Sequence, residues 1–345
     1  MADFIAARGA SAGLDVEFQE VFPGRRNVWL RLAPAGRTRS RVLLAPHLDT
    51  VGSLDGSDRV FEPRLKDGRI WGRGACDTKG SVAAMLSALF RLAERGSRPL
   101  ETEVIFIGLV DEESHQHGSR AVVKAGFRAD LGIVGEPTRL EVVTAHKGDL
   151  WARLETRGKA AHGACPSRGR NAVRAMARVV EALEGEYAAA LAKRSHSLLG
   201  SPTINVGTIR GGIQPNIVPD HCAIEVDRRM LPGETGEGVR REILSFLRAR
   251  GLRVSALDLK GVPEPALETD PSLPWVRRFM GAVGTKRALG VHYFCDAAVL
   301  AMGGTPCVVF GPGDIAQAHT ADEWIAESSL ERGAGLLSRF LEGLP

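Results

Sequence analysis

Residues 41–49 read Arg-Val-Leu-Leu-Ala-Pro-His-Leu-Asp, an apolar run that stops at a histidine and an acid. The pattern returns twice. Val104–Val110 (Val-Ile-Phe-Ile-Gly-Leu-Val) leads into Asp111-Glu112-Glu113, and Leu131–Val134 leads into Gly135-Glu136-Pro137. Apolar runs of this length without alternation predict strands buried on both faces, as in an α/β sheet. Between the first two, Val82, Met85, Leu86, Leu89 and Ala93 fall on one helical stripe, with Gly96 as its stop. Ligands of such sheets collect at the carboxyl ends of the strands, where these acids and His47 stand.

From about Gly148 the periodicity changes. Leu150, Ala152, Leu154 and Thr156 alternate with Trp151, Arg153, Glu155 and Arg157, the mark of a half-exposed strand. A helix is expected from Asn171 to about Lys193, then strands at Thr203–Arg210 and Cys222–Arg229, a helix at Thr235–Arg250 and a strand at Leu252–Lys260. That order, βαββαβ, is the ferredoxin-like plan. The chain then returns to α/β character, with a helix near Pro271–Val283, a strand near Leu289–Phe294 and the run Cys307–Phe310. The expected architecture is an α/β domain of residues 1–147 and 262–345, helices on both faces of a mixed sheet, interrupted by a ferredoxin-like insertion at residues 148–261.

Composition narrows the function. A chain of 345 residues exceeds the ~250–300 at which single cores stop growing, so two domains are expected. The net charge of +4 comes from interleaved basic and acidic residues with no basic block, so no nucleic-acid partner is expected. No apolar run reaches the ~18 residues of a membrane span. Five cysteines, odd in number and without a C-x-x-C pair, indicate a reducing compartment. The first residues carry an early acid and no apolar stretch, unlike a signal peptide, and a cytoplasmic protein is expected.

Several residues point to metal chemistry. His47 and Asp49 are two apart at a strand end, so Asp49 is placed to hold the second nitrogen of a ligating His47. Asp77 lies in Gly72-Arg73-Gly74-Ala75-Cys76-Asp77-Thr78-Lys79-Gly80, just before the apolar helix. A helix cap is the plainer reading there, and a dinucleotide loop is excluded because Asp77 replaces the third glycine of G-x-G-x-x-G. Burying the adjacent acids Glu112 and Glu113 is costly without cations. As neighbours on a strand they should point apart, which suits one to a metal and the other to general-base work. Glu136 ends the next strand, and His319 lies in Gln317-Ala318-His319-Thr320-Ala321-Asp322-Glu323. Imidazoles and carboxylates in this mixture suit a pair of Zn, Co or Mn ions.

His47-Leu48-Asp49-Thr50-Val51, Gly72-Arg73-Gly74 through Asp77-Thr78-Lys79-Gly80, Asp111-Glu112-Glu113, Gly135-Glu136-Pro137-Thr138 and His319 occur in one order and spacing. Together they resemble the M20 metallopeptidase family, which contains acetylornithine deacetylase, succinyl-diaminopimelate desuccinylase, aminoacylase and carboxypeptidases. The likeness runs from about Asn27 to the end, and the chain begins later than the family's usual first helix. The resemblance implies two divalent metal ions, most simply zinc, bridged by Asp77. His47 and Glu136 would complete one site, Glu113 and His319 the other. Glu112 would be the general base, Asp49 would orient His47, and the Asp77–Thr78 peptide would be cis. It further implies a homodimer formed through the insertion as lid, with His162 reaching the partner's site, and Asn216 and Arg229 holding a substrate carboxylate. The segment from Gly311 to His319 is most similar to the acetylornithine deacetylase branch, so an N-acyl amino acid or dipeptide is the expected substrate. Pro46 and Cys295 depart from the family pattern. His115, His117, His146, His196, His221 and His292 match no ligand position and read as surface or core residues. A non-catalytic binding protein on the same fold is the rival class. It would be expected to have lost a base or a ligand, and all are present.

Overall fold

The computed structural model describes residues 1–53, 56, 58–94, 96, 98–259 and 262–345. Lys260 and Gly261, the ends of the expected last strand and of the insertion, lie outside the described residues. The chain divides into two units. One comprises Met1–Thr144, Glu268–Gly290 and Cys295–Pro345, the other Ala145–Leu267 and Val291–Phe294.

In the first unit, Ser40–Pro46 lies between Thr102–Gly108 and Leu131–Gly135 and runs parallel to both. Arg25–Leu32 adds antiparallel to Thr102–Gly108, and Asp15–Phe22 completes a hairpin with it. On the other side Cys307–Val309 pairs parallel to Leu131–Gly135. The sheet is mixed, and its central strands are covered on both faces. Leu44, Phe106 and Ile133 pack with Val82, Met85 and Leu89 of the helix Gly80–Glu94 and with Phe279, Phe310, Leu337 and Phe340. Their neighbours Leu43, Ile105 and Ile107 are equally buried, and the helix Asp296–Met302 packs on Leu131–Gly135 and Cys307–Val309. Gly96, at φ +66°, ends the turn beyond Gly80–Glu94 in a backbone region that favours glycine.

Because the three central strands run parallel, their carboxyl ends emerge along one edge. One expectation needs correction there. The strand before Glu112 and Glu113 ends at Gly108, Leu109 bridges to His47, and Asp111 takes φ +69°. The two glutamates therefore sit in a turn. Strand alternation does not set the directions of their side chains.

The second unit is a four-stranded antiparallel sheet, in spatial order Thr203–Gly211, His221–Met230, Gly148–Arg157, Ser255–Asp258. Its helical segments intervene as βαββαβ requires. Asn171 caps the first, accepting from Arg174 N at 2.9 Å, and a π-turn at Leu183–Tyr187 carries it on to Leu191. Thr235 caps the second, Gly236–Ala249. The last strand starts three residues later than its apolar pattern suggests, because Gly251 (φ +71°) closes the preceding helix and 252–254 form the approach. Among the described residues no helix is long and apolar enough to cross a membrane.

Candidate metal centre

The site is built on the parallel strand ends of the first unit. Gly74 opens the loop carrying Asp77. Its φ is +79°, and a Cβ there would lie 2.6 Å from Thr50 Cγ2, so both conformation and space call for glycine. The loop turns irregularly through Ala75–Lys79 and its Asp77–Thr78 peptide is cis, as the resemblance implied. Thr78 Oγ1 donates to Gly135 O at 2.8 Å, which ties the loop to the strand end carrying Glu136.

The Asp77 carboxylate divides its two oxygens. Oδ1 is 3.0 Å from His47 Nε2, and Oδ2 is 3.2 Å from His319 Nε2. His47 Nε2 is also 3.9 Å from Glu136 Oε1, and His319 Nε2 is 3.1 Å from Glu113 Oε2. Two donor groups thus meet at one carboxylate, His47 with Glu136 and His319 with Glu113. His319 sits at φ +60° beyond the short turn Ile315–Gln317 and is the exposed member; His47 is fully buried.

Asp49 does more than orient a ring. The Nδ1 of His47 donates to the backbone carbonyl of Asp49 at 3.0 Å, with the Asp49 carboxylate at 3.7 Å. That carboxylate accepts from Glu112 N and Glu113 N, both at 3.2 Å. It therefore holds the turn that presents both glutamates, while the backbone fixes the tautomer of His47.

The electrostatics show what the cluster suits. Burial would lower the His47 imidazole, but Asp49, Asp77 and Glu136 hold it well above the usual histidine value. His319 is pushed up to about 10 by Asp77 and Glu113. Burial pushes Asp77 up, yet the two histidines outweigh it and hold the carboxylate far below its ordinary value. Glu112 and Glu136 are raised well above the normal range, first by burial and then by neighbouring acids, against the pull of His47. They are 9% and 4% exposed. Carboxylates buried this deeply among other acids need positive charge to stay ionised. The donor set, two imidazoles and carboxylates around a shared Asp77, fits divalent transition-metal ions.

Other parts of the site were not legible beforehand. Glu323 is buried, and its Oε2 accepts from Arg73 Nη1 (2.8 Å) and Gly74 N (3.0 Å). Its Oε1 accepts from Cys76 N (2.9 Å) and Asp77 N (3.0 Å). One carboxylate four residues after His319 thus clamps the loop of Asp77. Asp296, also buried, accepts from Ser119 Oγ at 2.5 Å and adds negative charge beside Glu112. Cys295 is fully buried, and burial followed by Glu136 pushes its thiol well up, so it stays neutral.

The remaining expected residues lie in the second unit. Gly163 N donates to Asn216 O at 2.7 Å, so the loops of His162 and Asn216 are joined. Both side chains are exposed. Ala164 N donates to His162 Nδ1 at 3.1 Å. Arg229 forms a bidentate pair with Asp227, both contacts 2.9 Å, with Asp149 at 3.9 Å. Its neighbour Arg228, on the core face, is wholly buried and pairs with Glu234 at 2.7 Å.

The family described as peptidase family M20/M25/M40 matches residues 43–343. The chain belongs to this family. An acetylornithine deacetylase of Myxococcus xanthus is 32% identical over 356 residues, covering 98% of this chain and 90% of its own length. One of Vibrio vulnificus (strain CMCP6) is 33% identical over 342 residues, covering 96% and 87%. Among solved structures, aminopeptidase PepT from Bacillus cereus ATCC 10987 matches with a TM-score of 0.80 at 24% identity, over 99% of this chain and 91% of its own. The M20 family metallo-carboxypeptidase Sso-CP2 from Sulfolobus solfataricus matches with a TM-score of 0.78 at 19% identity, over 99% and 93%. At these identities the two structures show the shared fold. This M20 chain is a metal-dependent hydrolase of linear amides.

Proposed function

We propose that this M20 hydrolase removes the acyl group from a small N-acyl amino acid, in the manner of an acetylornithine deacetylase, with two zinc ions held at the cluster around Asp77. The observation that carries the reading is the division of the Asp77 carboxylate, one oxygen toward His47 and one toward His319. In this reading His47 and Glu136 would hold one ion, Glu113 and His319 the other, and Asp77 would serve both. When bound, the ions supply an activated water and polarise the amide carbonyl.

Glu112 is the general base. It is buried among the cluster's charges, is kept in place by Asp49 through its backbone, and has no ligand role in this reading. It takes the proton of the attacking water and returns it to the leaving amine. His162 serves a partner subunit's site in a homodimer formed through the second unit. Its Nδ1 accepts from Ala164 N, which leaves the proton on Nε2, so the exposed ring can donate to the oxyanion of the tetrahedral intermediate. The edge strand Thr203–Gly211, with Ile209 55% exposed, supports pairing of two such sheets across a two-fold axis. Arg229 and Asn216 bind the substrate α-carboxylate; a guanidinium that already holds the Asp227 carboxylate bidentately has the geometry for it. Five free cysteines, four of them buried, support a reducing, cytoplasmic setting.

The test is hydrolysis of a panel by zinc-loaded and chelator-stripped protein: N-acetylornithine, N-succinyl-diaminopimelate, other N-acyl amino acids and dipeptides. Zinc-dependent release of acetate from N-acetylornithine in preference to the others supports the proposal. A preference for the succinyl, aminoacylase or dipeptide substrates replaces the acyl assignment. Binding without turnover contradicts the catalytic reading.

A further inference from the structure

His115 and His117 match no ligand position of the M20 centre, yet they do not stand apart from one another. Asp111, His115 and His117 place one ligand atom each within 4.8 Å of the other two. The segment between them is a closed loop. His115 N and Gln116 N both donate to Asp111 O (3.2 and 2.7 Å), and Gly118 N donates to Val110 O at 3.1 Å. Asp111 at φ +69° and Gln116 at φ +56° bend the chain sharply. The bends bring both imidazoles back over the Asp111 carboxylate, with ring centroids 5.3 Å apart.

Two of the three donors are already held. Asp111 is buried, and its Oδ2 is 2.6 Å from His117 Nδ1. The edge of Phe22, 4.9 Å away at 72°, steadies the His117 ring from the neighbouring hairpin. His115 is exposed and can swing. Tetrahedral bonds of ~2.1 Å place ligand atoms roughly 3.4 Å apart, so Asp111 and His117 would open by several tenths of an ångström while His115 closes in. Only side-chain rotations on an exposed rim are required.

We propose that Asp111, His115 and His117 form a third metal site, separate from the pair around Asp77, that takes one zinc-class ion (Zn, Co, Ni or Cu) with water completing the shell. Two imidazoles and a single carboxylate select borderline transition metals over Mg or Ca. Three protein ligands, two of them exposed, make the ion exchangeable, so the site fills after the buried pair. Asp111 immediately precedes Glu112 and Glu113, so this ion would sit on the turn that presents both.

The experiment is equilibrium dialysis of the holoprotein against stepped free zinc, compared with the double variant His115→Gln/His117→Gln. Wild type should hold one more zinc per chain than the variant at high free zinc. The counts should coincide at low free zinc, where kcat should also be the same for both proteins. This difference of one equivalent is read whether or not the Asp77 cluster holds two ions, so it fails independently of the proposed function. Equal zinc counts at every concentration would overturn the site. A second readout needs no variant: mass spectrometry of diethyl pyrocarbonate modification. Excess zinc should protect His115 and His117 but not the exposed His292, and equal modification with and without zinc would equally overturn it.

Discussion

Glu323 is the position at which the structure makes its most demanding claim. Its carboxylate is the acceptor for Arg73 Nη1, Gly74 N, Cys76 N and Asp77 N, with no exposed atom to share the work. Glu323→Gln keeps the shape and removes the charge. If the amide oxygen takes the place facing Cys76 and Asp77, the NH₂ group confronts Arg73 and Gly74, donor against donor. Arg73, itself 5% exposed, then keeps a buried charge without its partner, and among the described residues its Nε and Nη2 have no acceptor. Breaking a buried pair in this way costs about 3–5 kcal/mol. At about 2–4 °C per kcal/mol, the Tm should fall by roughly 6–20 °C. Arg73→Met/Glu323→Gln should recover at least ~1 kcal/mol of that loss, because the stranded charge is gone. Thermal and urea unfolding measure both. Chelator competition should also show faster metal loss from Glu323→Gln, since Asp77 N has lost its anchor. A Glu323→Gln protein that melts with wild type, or a double variant no more stable than the single one, would refute the clamp.

Other outcomes follow from the same geometry. Asp49→Ala should lower metal affinity by about 10–100-fold, as loss of an outer partner of a ligand does, and Asp49→Asn should do so less, because one acceptor for the Glu112–Glu113 turn remains; isothermal titration after metal removal reads both. Arg229→Ala should reduce kcat/KM far more for substrates with a free α-carboxylate than for their amides, and an equal loss on both would leave Arg229 as the Asp227 ion pair alone. Glu112→Ala and His162→Ala should each be nearly inactive yet regain activity when mixed, with up to about a quarter of sites restored by random pairing. Demonstrated subunit exchange without recovery would place His162 in its own subunit's service or in none.

The sequence showed the central strands because burial on both faces leaves no room for polar residues. Val42–Ala45, Val104–Gly108 and Leu131–Val134 are apolar for that reason, and each is buried throughout. The opening hairpin was harder to see. Asp15–Phe22 is an edge strand whose side chains are all exposed or half-exposed, so no apolar pattern marks it. In the site, residue type and motif singled out His47, Asp77, Glu113, Glu136 and His319, and their side chains come together in one cluster. What supports them was not. Arg73 and Glu323 are 250 positions apart, and nothing local distinguishes a buried clamp from a surface acid. Strand alternation turns Arg229 away from the core of its sheet and puts Arg228 in it, a buried charge that composition alone argues against. The placement of Glu112 and Glu113 depended on where a strand stops, and the positive φ of Asp111 decided that.

Metal content measured together with kcat on the purified variants separates the two adjacent glutamates most directly. Glu112→Gln should retain the wild-type metal content while kcat falls by about 10²–10⁴-fold or more, the loss of an acid–base group. Glu113→Ala should lose metal, since its Oε2 faces His319 across one half of the centre. Equal metal loss in both variants, or a Glu112→Gln enzyme with normal turnover, would contradict the assignment of base and ligand.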